Sequence, residues 1–454
     1  MIAVVSVHVT TYGCSMNKAD AEIILGLLRE AGYDVAESED DADILIINTC
    51  GVKEPTEKKV LRKISEVNLS GKPFIVGGCL PRINLSEVLR AGPRFAAVVD
   101  TNSLFSIVDV VRQVERGRRG ILKLGEEKSV KLGIPRKPFN PVVAIIPISE
   151  GCLGDCHYCC VKFARGRLFS YPPDTILDEI KKSVRRGCRE IWLTSQDTGA
   201  YYWKGKRLPD LLRRIVELPL EFRVRVGMAN PKHTIKILDD LVDAYRDPKI
   251  YKFLHIPVQS GSNEILEAMN RGYTREQFIE IVEAFRAEIP GTAIATDIIV
   301  GFPGETSENF QESVSLIKEV RPDVVNISRF APRPGTRAAE MSNQIPGGII
   351  KERSRELTKI ALKIGEERNR AWIGWRGTAL VTERGLKGGW IARNPSYKPI
   401  VINHNEQKLG GEVQVEVTAA TPIYLVGRII KPSETTLKTL HNIGVFTLER
   451  AKDS

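Results

Sequence analysis

The sequence predicts an α/β chain in three parts: an N-terminal doubly wound parallel sheet, a central open six-stranded (β/α) barrel and a small C-terminal antiparallel β-barrel. Three observations predict it. Residues 1–115 and 142–330 alternate short apolar runs with amphipathic helical stretches, the pattern of parallel sheets covered by helices. Residues 371–430 change to short β runs separated by Gly, Pro and Asn. Cysteines in the first two parts stand just past strands, at the edge where parallel sheets bind ligands.

In the first part, 1–115, strands are expected at Val4–Val9, Ile44–Ile47, Phe74–Val76 and Ala96–Val99, with helices at Asn17–Ala31 and 54–68. Cys14, Cys50 and Cys79 each follow a strand, so three thiols separated widely in sequence converge on one sheet edge. Unrelated buried cysteines are the alternative, since free Cys is often buried. Residues 116–141 read as a basic linker, with Arg116, Arg118, Arg119, Lys123, Lys128, Lys131, Arg136 and Lys137 against Glu126 and Glu127. A solvated connector or a phosphate-contacting arm fits that composition.

The central part, 142–370, has expected strands at 142–148, 190–194, 222–227, 253–257, 294–300 and 323–328, with helices between them and a charged helix over 351–370. Loops after such strands carry the chemistry in parallel barrels. The first of these loops holds Cys152-Leu-Gly-Asp-Cys156-His-Tyr-Cys159. Three thiolates hold three irons of a four-iron cluster and leave one iron open to a small molecule. A zinc knuckle is the competing reading, with His157 as the fourth ligand that zinc requires. The third part, 371–432, has expected strands at Thr378–Thr382, Gly389–Arg393, Pro399–Ile402, Glu412–Thr418 and Tyr424–Ile429. The tail, 433–454, has room for a short helix at 433–442.

The chain has 454 residues and a net charge of +10, which suits a polyanionic partner. No run of 18 apolar residues occurs, so no membrane span is expected. The first ten residues lack a basic n-region and a cleavage site, so no secretory signal is expected. Eight cysteines in this length fit metal ligation in the cytoplasm better than a disulfide framework.

The Cys152 loop resembles the cluster loop of radical S-adenosylmethionine (SAM) enzymes. Together with Thr11-Tyr12-Gly13-Cys14-Ser15-Met16-Asn17, Asn48-Thr49-Cys50, Gly77-Gly78-Cys79, His255-Ile-Pro-Val-Gln259-Ser260 and Asp297-Ile-Ile-Val-Gly301-Phe-Pro-Gly304, it resembles the radical SAM methylthiotransferases over nearly the whole chain. The C-terminal barrel resembles that family's RNA-binding TRAM domain. Cys159 to Pro172 and Trp192 to Tyr201 resemble the archaeal and eukaryotic branch, which acts on N6-threonylcarbamoyladenosine at position 37 of tRNA. The polar end, Leu448 to Ser454, lacks the apolar anchor of eukaryotic members and points to the archaeal ones.

The resemblance implies two 4Fe–4S clusters, one on Cys152, Cys156 and Cys159 and an auxiliary one on Cys14, Cys50 and Cys79. It implies that one SAM supplies a radical and another a methyl group. Tyr158 takes the place of an aromatic against the SAM adenine, and Ser195, Gln196 and Asp197 the place of contacts to its amino group. Gln259 and Ser260 are candidate ribose contacts, and Gly301 and Gly304 allow backbone to approach adenine. Arg165 and Arg167 are candidate tRNA phosphate contacts. Trp372, Trp375, Trp390 and Tyr397 are candidates for base stacking or for the barrel core. The partners implied are the tRNA anticodon loop and an electron donor such as ferredoxin or flavodoxin; the oligomeric state is not implied. Cys160 and Cys188 fall outside the pattern and read as structural. Two other functions share these residues. One is the same chemistry on a different tRNA adenosine or on a ribosomal protein, the latter distinguished by a methylthiolated aspartate as product. The other is a non-catalytic iron–sulfur RNA-binding protein, distinguished by failure to cleave SAM.

Overall fold

The computed structural model describes residues 4–386, 388–403 and 408–430; the tail helix expected at 433–442 lies outside them. The chain divides into two compact units, one up to Ala361 and one from Leu362.

The first unit opens with strands β1 (Ser6–Thr11), β2 (Asp34–Val35), β3 (Ile44–Thr49), β4 (Phe74–Gly78), β5 (Ala97–Asp100) and β6 (Ile121–Lys123). They form one parallel sheet in the order β2-β1-β3-β4-β5-β6. Helix α1 (Ser15–Glu30) buries Ile23, Ile24 and Leu28 on one face with Val7 and Ile46, while α2 (Glu54–Ser70) buries Val60 and Ile64 on the other with Leu45 and Val76. Apolar side chains therefore leave the sheet on both faces, as double winding requires.

The barrel follows with β7 (Val143–Pro147), β8 (Glu190–Thr194), β9 (Arg223–Val226), β10 (Phe253–His255), β11 (Ala293–Val300) and β12 (Val324–Arg329). Two parallel three-stranded sheets, β9-β8-β7 and β10-β11-β12, are joined by a parallel bridge from Val224 to Ile250. The strands lie within a few residues of their expected positions.

The basic linker is corrected by the structure. Its Ile121–Lys123 is the sheet's edge strand β6, paired with β5. Lys131 and Arg136 are buried rather than solvated. Lys131 Nζ donates to Asp20 Oδ1 at 3.3 Å and to Glu150 Oε1 at 3.0 Å. Arg165 completes the cluster: Nη1 donates to Glu150 Oε1 at 2.6 Å, and Nη2 to Asp20 Oδ2 at 2.7 Å and Asn17 Oδ1 at 2.8 Å. Asn17 and Asp20 belong to α1, and Glu150 lies two residues before Cys152. Two cations and two carboxylates thus join the first sheet to the barrel without leaving net charge. Arg165 is only 1% exposed, so it cannot contact tRNA phosphates, and that expectation is withdrawn. A guanidinium so deep persists only because each carboxylate is held within hydrogen-bond reach.

Two further ties cross the same seam. Ser15 Oγ lies 2.7 Å from Thr194 Oγ1. Arg333 pairs with Glu57 and donates to Gly51 O at 2.6 Å.

The second unit, entered along the helix Gly347–Arg370, is a closed barrel of β13 (Arg376–Arg384), β14 (Trp390–Arg393), β15 (Pro399–Ile402), β16 (Glu412–Ala420) and β17 (Leu425–Ile429), in the order β13-β14-β15-β17-β16. Trp390 is buried among Val381, Ile400 and Val415, and Trp372 and Trp375 pack against that core. Tyr397 is buried as well, under the Arg393 guanidinium. Trp390 and Tyr397 are therefore core residues, while Trp372 and Trp375 are half-buried at the edge of that core.

The buried ion cluster makes a direct prediction. Arg165→Ala, which leaves two buried carboxylates with Lys131 as their one counter-ion in the cluster, lowers unfolding free energy by about 3–5 kcal/mol, whereas exposed Arg167→Ala changes it by less than about 0.5 kcal/mol; denaturant melts of both variants check this. A second follows from pH. Burial alone would raise the Glu150 pKa, but Lys131 and Arg165 outweigh it and hold it down at about 2. The depressed value means that Glu150 stabilises the fold above its unfolded pKa. That contribution drains away as pH falls from about 4.5 toward 2. Acid titration of Glu150→Gln should show a shallower loss over that window than the wild type.

Candidate metal centre

Cys14, Cys50 and Cys79 follow β1, β3 and β4, which are adjacent in the sheet. Parallel strands end on the same edge, so adjacency brings the three residues together. The chain folds tightly here. Gly13 has a φ of +106°, and a Cβ on it would stand 2.5 Å from Cys50 Cβ and 2.9 Å from Cys50 Sγ. Gly78, at φ +92°, leaves no room for a Cβ beside Thr49 O at 2.4 Å. Both positions require glycine for conformation and for space. Asn17, fully buried, fixes the rim: its Nδ2 donates to Tyr12 O at 2.9 Å and Thr49 O at 2.8 Å, and Cys79 Sγ lies 3.4 Å from its Oδ1. Cys14 is exposed, whereas Cys50 and Cys79 are buried. Burial pushes the Cys79 thiol up to about 12, with the neighbouring Cys14 and Cys50 adding to the effect against Arg165.

Cys152, Cys156 and Cys159 lie on the loop after β7. Gly154 N–H donates to Cys152 Sγ at 3.2 Å. Burial raises Cys152 to about 11 and Cys159 to about 12. His157 is not a fourth ligand. Its Nδ1 lies 2.8 Å from Ala268 O and its Nε2 3.3 Å from Arg337 Nη1, so both ring nitrogens are occupied. Among the described residues, no three His, Cys, Asp or Glu side chains gather around a single metal ion. Zinc needs four ligands on one ion, while thiolates on a four-iron cluster each take a separate iron. The donor chemistry of both trios, sulfur only and three per set, fits such a cluster. Loading would displace the thiol protons.

The two trios belong to one compact unit. Cys160, beside Cys159, is buried against Cys79 and Ile83, with its Sγ 3.7 Å from Gly51 O, next to Cys50. Cys188 is buried with its Sγ 3.5 Å from Pro141 O.

The remaining expected contacts divide. Gln196 Oε1 accepts the Gly151 N–H at 2.6 Å and so holds the start of the cysteine loop. Ser195 Oγ accepts the Asp197 N–H at 3.0 Å. Asp197, buried near Cys152, accepts from Asn230 N–H at 2.9 Å and lies 2.7 Å from His233 Nδ1. Tyr158 is half-buried against Phe302 and Phe330. Gln259 sits at φ +74°, where its backbone bridges to Ile298. One expectation is corrected. Ser260 is fully buried, with its hydroxyl 3.3 Å from Ser313 Oγ and accepting the Ser262 N–H, so it is not placed to meet a ribose. A Cβ on Gly301 would meet Ile350 at 2.4 Å, and one on Gly304 would meet Asn343 at 2.4 Å. Side chains of the chain itself fill those spaces, so tight turns at positive φ demand glycine at both positions. Arg167 is exposed.

Sequence reasoning passed over Arg271, whose Nη1 donates to Cys156 Sγ at 3.1 Å. It also passed over the bonding role of Asn17, although the residue lies inside the Cys14 motif. Asn17 was detectable from that motif; Arg271 had no local signal.

The family described as "Radical SAM superfamily" matches residues 146–317, "Uncharacterized protein family UPF0004" matches 6–100, and "TRAM domain" matches 373–430. A "Probable threonylcarbamoyladenosine tRNA methylthiotransferase" of Pyrococcus horikoshii is 46% identical over 429 residues, covering 94% of this chain and 100% of that protein. The chain belongs to the threonylcarbamoyladenosine tRNA methylthiotransferase family. A human member is 35% identical and covers 94% of this chain, which spans 74% of the human protein. A solved radical SAM methyltransferase, TsrM of Kitasatospora setae, has a TM-score of 0.56 at 15% identity, covering 74% of this chain and 77% of that one; the likeness is one of fold. Within the family match, the radical SAM segment contains the Cys152 trio, and the segment matching at 6–100 contains the Cys14 trio.

Crowding at Gly13 gives the prediction for this methylthiotransferase family member. Gly13→Val drives a branched side chain into Cys50. Iron analysis of the anaerobically reconstituted variant is expected to show loss of about half the iron, with the Cys152 trio still loaded.

Proposed function

We propose that this protein adds a 2-methylthio group to N6-threonylcarbamoyladenosine at position 37 of tRNA, using two 4Fe–4S clusters and SAM. The observation that carries the reading is the pair of cysteine trios in one compact unit, each at the C-terminal end of parallel strands and each one ligand short of a closed four-iron site. Cys152, Cys156 and Cys159 would hold one cluster; Cys14, Cys50 and Cys79 would hold the other. When bound, these groups and SAM supply the one-electron and sulfur chemistry that an unactivated adenine C–H demands and that side chains lack.

The chain's own residues have definable tasks in this reading. Asn17 and Gly13 shape the first trio, and Gln196 and Gly154 shape the second. The buried cluster of Arg165, Lys131, Asp20 and Glu150 fixes one trio's support to the other's, so that their separation is set by folding. Cys14, exposed while its partners are buried, marks the side from which a base can approach. An adenosine in an anticodon loop can be unstacked and presented to such an opening. The TRAM-matching barrel would hold the tRNA; Arg376 and Arg428, each about two-thirds exposed, are candidates for its phosphates. Reducing equivalents would come from a ferredoxin or flavodoxin, and the reaction belongs to the cytoplasm, where tRNA is found.

The test is iron and sulfide analysis after anaerobic reconstitution, for wild type and for Cys14→Ala/Cys50→Ala/Cys79→Ala. About eight irons per chain falling to about four is the expected result. About four in both proteins would leave SAM chemistry but remove sulfur insertion. Nucleoside analysis of tRNA incubated with the loaded enzyme should then show the 2-methylthio derivative for wild type and its absence for the triple variant.

A further inference from the structure

Arg271 is buried and places its guanidinium on the Cys152 trio. Nη1 donates to Cys156 Sγ at 3.1 Å, Nη2 to Pro257 O at 3.2 Å and Nε to Tyr273 Oη at 3.0 Å. The Tyr273 ring lies 5.1 Å from the guanidinium carbon, and its hydroxyl is anchored on Val258 O at 2.6 Å. The head group is therefore held on every side. The same turn grips the cysteine loop at neighbouring points. Asn270 Nδ2 donates to Asp155 O at 2.9 Å, and His157 N–H donates to Met269 O at 3.0 Å. Asn270 and Gly272 both have positive φ, at 55° and 64°, and between them Arg271 points inward.

Arg271 differs from the other buried arginines of this unit in its partners. Arg165 and Arg333 each pair with carboxylates. Arg271 bonds to a sulfur, a hydroxyl and a carbonyl, and among the described residues no carboxylate pairs with it. Guanidinium stays charged at any pH a protein survives. A buried charge without a counter-ion is strongly unfavourable, and folds keep one only where an opposite charge arrives. The group that Arg271 faces and that carries negative charge once it ligates iron is the Cys156 sulfur, 3.1 Å from Nη1.

We propose that Arg271 is a positioning residue that serves as the counter-cation of the iron–sulfur cluster on Cys152, Cys156 and Cys159 and raises that cluster's reduction potential. The proposal rests on the reading that this trio holds a cluster. Adding an electron makes such a cluster more negative. A fixed cation and an N–H donor at a ligand sulfur favour the more negative state, and hydrogen bonds to sulfur together with net charge are recognised levers on cluster potential. The site is shielded from solvent, so salt screens the attraction little.

The test is a redox titration of the reconstituted full-length protein, followed by electron paramagnetic resonance at the signal that changes when SAM is added. Wild type is compared with Arg271→Met, which keeps an unbranched apolar stem and loses the charged head, and Arg271→Lys, which keeps charge and loses the planar fork. The expected result is a midpoint potential for Arg271→Met more negative than wild type, with Arg271→Lys between them. Variants that carry the cluster yet titrate at the wild-type potential would overturn the proposal. If Arg271→Met fails to take up iron, Arg271→Gln, which loses the charge but keeps an N–H donor, decides by the same criterion: a lowered potential supports the assignment and an unchanged one rejects it. A wild-type protein with no signal responsive to SAM would instead sink the cluster assignment of the trio itself, a result distinct from an unchanged potential.

Discussion

The structure of the first unit depends on a charge-balanced knot of four side chains. Asp20 comes from the first helix, Lys131 from the connecting segment, Glu150 from the approach to the cysteine loop, and Arg165 from the short helix after it. None of these groups is tolerable in the interior alone, and each is satisfied only when the first sheet and the barrel are correctly placed. A knot of this kind does more for specificity of arrangement than for net stability. It lets two domains, each with its own apolar core, meet in one geometry. The thiol trios inherit that geometry because both lie within a few residues of the knot.

Much of the layout was legible in the sequence because it follows from periodicity. Strand alternation located four of the first sheet's six strands and all six barrel strands to within a few residues, missing the short β2 and the edge strand β6, and cysteines placed just after strands reported a shared sheet edge. The C-terminal barrel was legible for the same reason, from short runs broken by Gly, Pro and Asn. Charge was the misleading signal. A run of lysines and arginines between two domains has the composition of a solvated connector, and nothing nearby in sequence reveals that Lys131 meets Asp20. Arg165 was misread on the same grounds. A basic residue beside a cluster loop suggests phosphate binding until its partners are known, and those partners lie 15 and 145 residues away. The packing around the glycines after β11 was not legible either, because their neighbours Ile350 and Asn343 come from a later segment. Ser260 failed similarly, since hydroxyl direction is set by packing against Ser313, not by motif.

Arg271 and Arg165 illustrate two ways of burying a guanidinium. Arg165 is neutralised by carboxylates supplied by the fold, so its surroundings are complete as they stand. Arg271 is oriented by neutral acceptors and directed at a sulfur. The first arrangement builds a scaffold; the second leaves a charge to be met by whatever the sulfur carries.

The uneven burial of the first trio has a consequence for damage. Cys50 and Cys79 are buried, and Cys14 alone of the three is exposed. Solvent and small oxidants therefore reach Cys14 first. The deeper thiols, held protonated by burial, are poor nucleophiles and react slowly, so oxidative attrition of this centre begins at its outermost sulfur and works inward.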